Sequence, residues 1–282
     1  MQDKYLKYFV SILTVSFLFP VTLAADEDDS DSFSTRISAE ADYKVMRGLH
    51  IYASEELRLG GKDIMDRSYT ELGTSYKINS HLKVALSYTA IAVYKSETTE
   101  LENSMEVIRY WYDWRHRISA DIIGSFRIGQ WCLSLRERIQ GTYKTRELNN
   151  YQQPQTAWVL RSRFKVSYRF RSAPFEPYVC FEPRLLLNGA EWSDEGMSPL
   201  YEESVFIGHN DVYFNRFRGT VGVEWKLNSR HSLDFYGIFD YLRDKEIDAR
   251  KEGSSKGTIL KTPIVWQTGY RVSICVGYKF SF

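Results

Sequence analysis

Beyond the N-terminal two dozen residues, no apolar run reaches the roughly 20 residues that a membrane helix needs. Mean hydropathy is low, at −0.39. There are only three cysteines, Cys132, Cys180 and Cys275, an odd number and widely separated. A disulfide framework would use an even, dense set, and no C-x-x-C spacing suggests a metal site. They read as small, isolated strand residues. Charge of one sign is also missing. The net charge is +1, so nothing draws the chain as a whole toward nucleic acid. Phosphate-loop glycines are absent too. Gly219, Gly222, Gly269 and Gly277 fall inside strand-like segments, where glycine eases close contact or bending.

Aromatic residues are abundant, with 20 Tyr, 16 Phe and 7 Trp. A membrane barrel accommodates both the aromatics and the low hydropathy, because only alternate residues of its wall need be apolar. The first 24 residues read as a secretory signal: Lys4 and Lys7, an apolar stretch from Phe9 to Phe19, then Pro20 and small residues up to Ala24 and Ala25. No cysteine follows, which argues against a lipoprotein. An acidic leader over 25–32 precedes a single barrel domain over 33–282.

From residue 33 on, period-2 alternation dominates. Trp266, Thr268, Tyr270, Val272, Ile274, Val276, Tyr278, Phe280 and Phe282 share one face. Gln267, Gly269, Arg271, Ser273, Cys275, Gly277, Lys279 and Ser281 share the other. Eleven such segments are legible: Phe33 to Tyr43, Leu49 to Arg58, Tyr69 to Ile78, Leu82 to Tyr94, Ile108 to Ile122, Trp131 to Tyr143, Ala157 to Phe170, Tyr178 to Leu187, Tyr213 to Leu227, Leu233 to Tyr241, and the C-terminal one. Short and long connections alternate, as one-sided outer loops require. Asn188 to Val212 and Leu242 to Pro263 are the longest expected loops, and His209 is expected in a surface turn. Bacterial single-chain barrels have even strand numbers, so the parity rule predicts about twelve strands, with ten as the alternative.

Alternation does not say which face meets solvent. The export signal, aromatics at many strand ends (Tyr94, Tyr110, Tyr112, Trp114, Trp131, Tyr143, Trp158, Trp225, Tyr241, Trp266) and the terminal Phe282 together favour apolar residues outward. The expectation is an all-β, antiparallel transmembrane barrel in the outer membrane of a Gram-negative bacterium. Its expected partners are outer-membrane lipid and lipopolysaccharide, and the outer-membrane assembly machinery through the strand ending at Phe282. No nucleic acid is expected.

Several short motifs recur in a definite order: Glu56-Leu57-Arg58, Trp114-Arg115-His116-Arg117-Ile118, Leu133-Ser134-Leu135-Arg136-Glu137-Arg138, Arg161-Ser162-Arg163-Phe164, Phe181-Glu182 before Leu185-Leu186-Leu187-Asn188, and Asn215-Arg216-Phe217-Arg218 before Lys226-Leu227-Asn228. In these, from Leu49 to Phe282, the chain resembles a domain-of-unknown-function family of bacterial outer-membrane barrels. It departs from that pattern at Glu137, where the family has an apolar residue and the register points to lipid. The resemblance implies the fold and carries no activity.

The lumen is the one place where chemistry-bearing residues gather. Arg136, Arg138, Arg161, Arg163, Arg184, Arg216 and Arg218 are expected there with the acids Glu182, Glu224, Asp234 and Asp240. Two uses are open. They form an ion-paired plug filling a narrow lumen, or they line a small passage or pocket that prefers anions. A membrane-embedded hydrolase or acyltransferase is a third possibility. It would need a nucleophile beside a base, and none of His50, His81, His116, His209 and His231 has one. The expectation is therefore no enzyme, no catalytic residue, no cofactor and no metal. His116 is expected to face lipid and His50 to belong to the luminal network.

Overall fold

The computed structural model describes residues 33–60, 65–100, 106–145, 154–193, 205–247 and 264–282. The expected signal peptide (1–24) and acidic leader (25–32) lie outside these residues. Eleven strands form one closed barrel: β1 (Phe33–Met46), β2 (Leu49–Leu59), β3 (Met65–Lys77), β4 (Leu82–Glu100), β5 (Glu106–Ile128), β6 (Trp131–Lys144), β7 (Thr156–Tyr168), β8 (Phe175–Ser193), β9 (Val205–Lys226), β10 (His231–Ile247) and β11 (Ile264–Ser281). Each strand pairs antiparallel with its sequence neighbour, and β1 closes the sheet against β11 in parallel.

That closure corrects the strand count. The eleven segments legible in the sequence are the eleven strands, and no twelfth exists among the described residues. An up-and-down sheet with an odd number of strands ends with its first and last strands running the same way. Its edges can then meet only in parallel. The ladder runs from Phe33 opposite Val272 to Asp42 opposite Ser281.

The short turns lie at one end of the barrel. They follow β1, β3, β5, β7 and β9, and the chain also ends there. Two of these turns use glycine in the left-handed region, Gly48 at φ 86° and Gly129 at φ 60°, where other residues are strained. Asn79 and Asn228 each accept backbone N–H bonds from the residues two and three ahead, which fixes the turns into β4 and β10.

At the opposite end the strands run further than alternation indicates. β4 and β5 stay paired from Lys95 opposite Trp111 to Glu100 opposite Glu106, beyond the last partners on either side. β8 and β9 likewise continue to Ser193 opposite Val205, and β10 and β11 to Ile247 opposite Ile264. Three two-stranded ribbons therefore project from this end. The long loops expected over Asn188 to Val212 and Leu242 to Pro263 are shorter than that, and His209 sits in β9 rather than in a turn. The reason is that the sequence of these extensions does not alternate: residues 95–100, for example, are polar or charged throughout.

The molecule is inside-out by the standard of a soluble protein. Ile118, Ile122 and Val221 are 61%, 58% and 63% exposed on the outer face. Arg36, Asp121, Glu182, Asp240 and Ser273 are buried in the interior. Aromatic contacts ring the short-turn end, with Trp131 against Tyr168, Phe175 against Trp225, and Phe282 against Tyr43 and Phe280. A second set lies toward the other end, where Tyr112 meets Tyr94 and Trp114, and Tyr241 meets Phe217 and Tyr270. The outer row of β6 includes Glu137. Its carboxylate accepts a hydrogen bond from Ser162 at 2.6 Å, so the register read from the sequence holds, and the charge on the outer face has a local partner. His116 also faces outward, bonded to the Tyr88 hydroxyl.

The seam can be checked directly. With the native cysteines replaced by serine, Ile37→Cys and Val276→Cys stand directly opposite in the parallel ladder, at a spacing that a disulfide spans. Mild oxidation should link them within one chain, seen as a gel-mobility change reversed by reductant. No link between 37 and 276, with efficient linking of Ile37→Cys to Val272→Cys or Phe280→Cys in separate variants, would contradict this register.

Candidate functional site

Every second side chain of a strand points inward, and the register sets residues of neighbouring strands side by side. Inward charges therefore form rows around the wall. One row runs through Asp121, Arg138, Arg161, Arg184 and Arg216, consecutive Cα partners on β5 to β9. A second runs through Glu182, Arg218, Asp240 and Arg271 on β8 to β11. Arg136 and Arg163 face each other on β6 and β7. A third row, Glu176, Glu224 and Asp234, lies nearer the short turns.

Three carboxylates organise the centre. Asp121 takes both arms of the Arg138 fork at 2.5 Å each. Glu182 accepts from Arg161, with Nε at 2.9 Å, and from Arg136 at 3.2 Å. Asp240 accepts a bidentate pair from Arg218 at 2.7 and 2.8 Å, and has Arg36 at 3.7 Å and Arg216 at 4.0 Å. Bidentate pairing of this kind is the strongest that side chains offer. Several of these contacts skip a strand: Arg136 to Glu182 passes over β7, Arg36 to Asp240 over β11, and the Tyr178 hydroxyl to Asp234 over β9. They are chords across the interior. Gly222 makes room for the last one, because a Cβ there would come within 2.7 Å of the Tyr178 ring.

The sequence-predicted set is thus largely brought together. Arg136, Arg138, Arg161, Glu182, Arg216, Arg218 and Asp240 share the central network, whereas Asp234 lies apart from it and accepts the Tyr178 hydroxyl. Glu224 lies in register with Glu176 and Asp234 and forms no ion pair among the described residues. Arg163 and Arg184 point inward in the rows but form no ion pair or hydrogen bond there. His50 belongs to the network, with Nδ1 2.7 Å from Asp42.

Sequence reasoning missed Arg36. Alternation within Phe33 to Tyr43 places it on the inner face, yet its approach to Asp240 depends on the parallel seam, which no local pattern announces. It also missed a cluster near the short turns, where Glu176 takes Lys226 at 2.8 Å, Arg169 at 3.0 Å and Ser167 at 2.9 Å. Among the described residues no group of three or more His, Cys, Asp or Glu could hold a metal ion, and Cys132, Cys180 and Cys275 are free thiols.

The two kinds of cluster should differ in energetic weight. Glu182 is 3% exposed, so Glu182→Gln leaves two buried guanidinium groups without their acid. The expected loss is about 3–5 kcal/mol. Glu176 pairs with Arg169 and Lys226, whose side chains are 48% and 40% exposed, so Glu176→Gln should cost under about 1 kcal/mol. Denaturant unfolding of both variants in one detergent measures the difference.

Comparison with known proteins places this architecture in context. The profile described as "Protein of unknown function (DUF2490)" matches residues 33–250, which take in β1 to β10. No curated protein matches. Among solved structures the chain is similar to outer-membrane expressed OmpT of Vibrio cholerae, with 12% identity and a TM-score of 0.34. It is also similar to the in-vitro folded trimer form of that protein, with 9% identity and a TM-score of 0.33. In both cases 82% of this chain covers 64% of the other, so the chain spans just under two thirds of their length. The profile begins with the first strand of the barrel and extends over ten of its eleven strands, and the chain belongs to the DUF2490 family.

Proposed function

We propose that the protein is an exported, integral outer-membrane barrel of a Gram-negative bacterium that catalyses no reaction. In this reading the ion-paired network fills its lumen, and it serves a structural or surface-interaction role. The observation that carries the reading is the division between the two faces. An apolar patch beyond a few hundred Å² is rare on a soluble monomer and marks a partner or membrane surface. Here apolar side chains occupy the outer face from β1 round to β11. A bilayer satisfies such a belt, and a closed sheet satisfies the backbone within it.

On this reading the short turns are periplasmic and the three ribbons project outward from the cell. Lipid and lipopolysaccharide contact the belt and its aromatic rims. The strand ending at Phe282 is the part the assembly machinery recognises. The strand-skipping chords support a lumen that is filled rather than open. Interaction with other molecules then falls to the projecting ribbons and the connections they carry.

A second reading, a small anion-preferring channel or pocket, is favoured by one observation: basic residues outnumber acids in the row from Asp121 to Arg216.

The reading has two checks. The protein should fractionate with outer membranes and shift its gel mobility on boiling, as a folded barrel does. Recovery in the soluble periplasmic fraction would overturn the membrane assignment. In planar bilayers it should show no steady conductance. Anion-selective conductance that changes with Arg161→Glu or Arg216→Glu would overturn the filled lumen in favour of the channel.

A further inference from the structure

The central network is not neutral. Arg36, Arg136, Arg138, Arg161, Arg163, Arg184, Arg216 and Arg218 share only Asp121, Glu182 and Asp240 at close range. The imbalance is greatest on β7, β8 and β9, where Arg161, Arg184 and Arg216 are direct cross-strand partners. Like charges placed directly opposite in a sheet repel and destabilise it. Arg161 relieves this by turning to Glu182, whereas Arg184 makes no direct ion pair and has only the more distant Asp244 for an acid. Arg117, on β5, adds a fourth cation that interacts with both Arg161 and Arg184, and its own hydrogen bond goes to the neutral Thr142 hydroxyl.

Unmet donors lie beside this excess. The Nε atoms of Arg216 and Arg136 are buried and bond to nothing. A buried guanidinium nitrogen without an acceptor is destabilising, the more so because the group is charged. The chain supplies a directly bonded carboxylate to Arg138 and Arg218 but leaves Arg184 and Arg216 with only distant ones, Asp244 and Asp240, and Arg117 with a neutral acceptor.

We propose that Arg184 and Arg216, with Arg161 and Arg117 behind them, form a luminal seat for a phosphate or phosphomonoester dianion. Guanidinium forks match the paired oxygens of such a group, and two negative charges offset a row that one carboxylate cannot. The rows face the interior, so the ligand is a solute entering through a mouth of the barrel rather than a headgroup of the surrounding lipid. The seat deepens the filled-lumen reading and rests on it in one respect: the anion binds within the network instead of passing through it.

The experiment uses purified, heat-modifiable protein in a detergent without phosphate. Inorganic phosphate is titrated calorimetrically into the protein, with sodium chloride holding ionic strength constant. The expected result is saturable binding, competed by glycerol 2-phosphate and not by acetate. Arg184→Gln together with Arg216→Gln should weaken it at least tenfold, whereas Arg230→Gln, in an exposed turn, should not change it. No saturable heat with the wild-type protein, or unchanged affinity in the double variant, overturns the seat.

A second readout holds if the double variant fails to fold. In phosphate-free buffer Arg184→Gln alone should raise the melting temperature, because it removes a repelling charge. Phosphate should raise that of the wild type by about 2–4 °C more than matched chloride does. A fall on Arg184→Gln would mean that Arg184 is a structural member of the plug, and would overturn the proposal. Conductance and phosphate binding are separate measurements, so failure of the filled lumen and failure of the seat are distinguishable.

Discussion

The parallel ladder between β1 and β11 is the interaction on which the rest of the molecule depends. A sheet with edges leaves two rows of unpaired N–H and C=O groups, which a bilayer interior does not tolerate. Eleven up-and-down strands have only one way to remove those edges. A parallel ladder is slightly weaker per residue than an antiparallel one, so the seam is the weakest stretch of the wall by geometry. Side chains compensate there. Arg36 on β1 reaches Asp240 across β11, and Lys279 on β11 reaches Glu40 on β1 at 2.6 Å. Ser34 and Ser273 share a 2.7 Å hydrogen bond between hydroxyls.

Closure also decides what the core is made of. The interior of a narrow barrel must be filled by the inward half of each strand. Here that half carries Arg, Glu, Asp, Tyr and Ser, with a few apolar groups such as Ile91, Val93 and Val159. Polar filling is stable only when its members satisfy one another, and a network missing a member costs more than an apolar core would. The strand-skipping pairs meet that requirement because they tie together strands that no backbone ladder joins.

Much of this was legible in the sequence. Alternation located all eleven strands and sorted inward from outward residues correctly, even at Glu137, because a period of two admits only two registers and the apolar residues choose between them. Strand ends at the ribbons were not legible, since their sequences, from the polar run at 95–100 to the apolar run Val205-Phe206-Ile207, do not alternate. The parity rule misled because it is a regularity of known barrels, whereas the physical requirement is only that edges be paired. Arg36 stayed hidden for the same reason: its neighbours are set by the seam, 237 residues away along the chain at Ser273. The membership of the luminal network was readable, but its pairings were not, because the choice of partner by Glu182 or Asp240 depends on shear between strands.

The balance of that network follows from simple spacing. β6, β7 and β9 each carry Arg at i and i+2: Arg136 and Arg138, Arg161 and Arg163, Arg216 and Arg218. Residues two apart on a strand share a face, so each of these strands places two cations inside. β8 alone breaks the pattern, with Glu182 ahead of Arg184. That one acid sits between β7 and β9 and draws Arg161 and, across β7, Arg136. The next step along β8 is Arg184, and its cross-strand partners on both sides are again Arg. Neutralisation therefore succeeds at the level of Glu182 and fails two residues further along the same strand. An Arg-x-Arg motif repeated on adjacent strands forces this outcome unless an acid stands between every pair, and on β8 the chain places one at only one of the two levels.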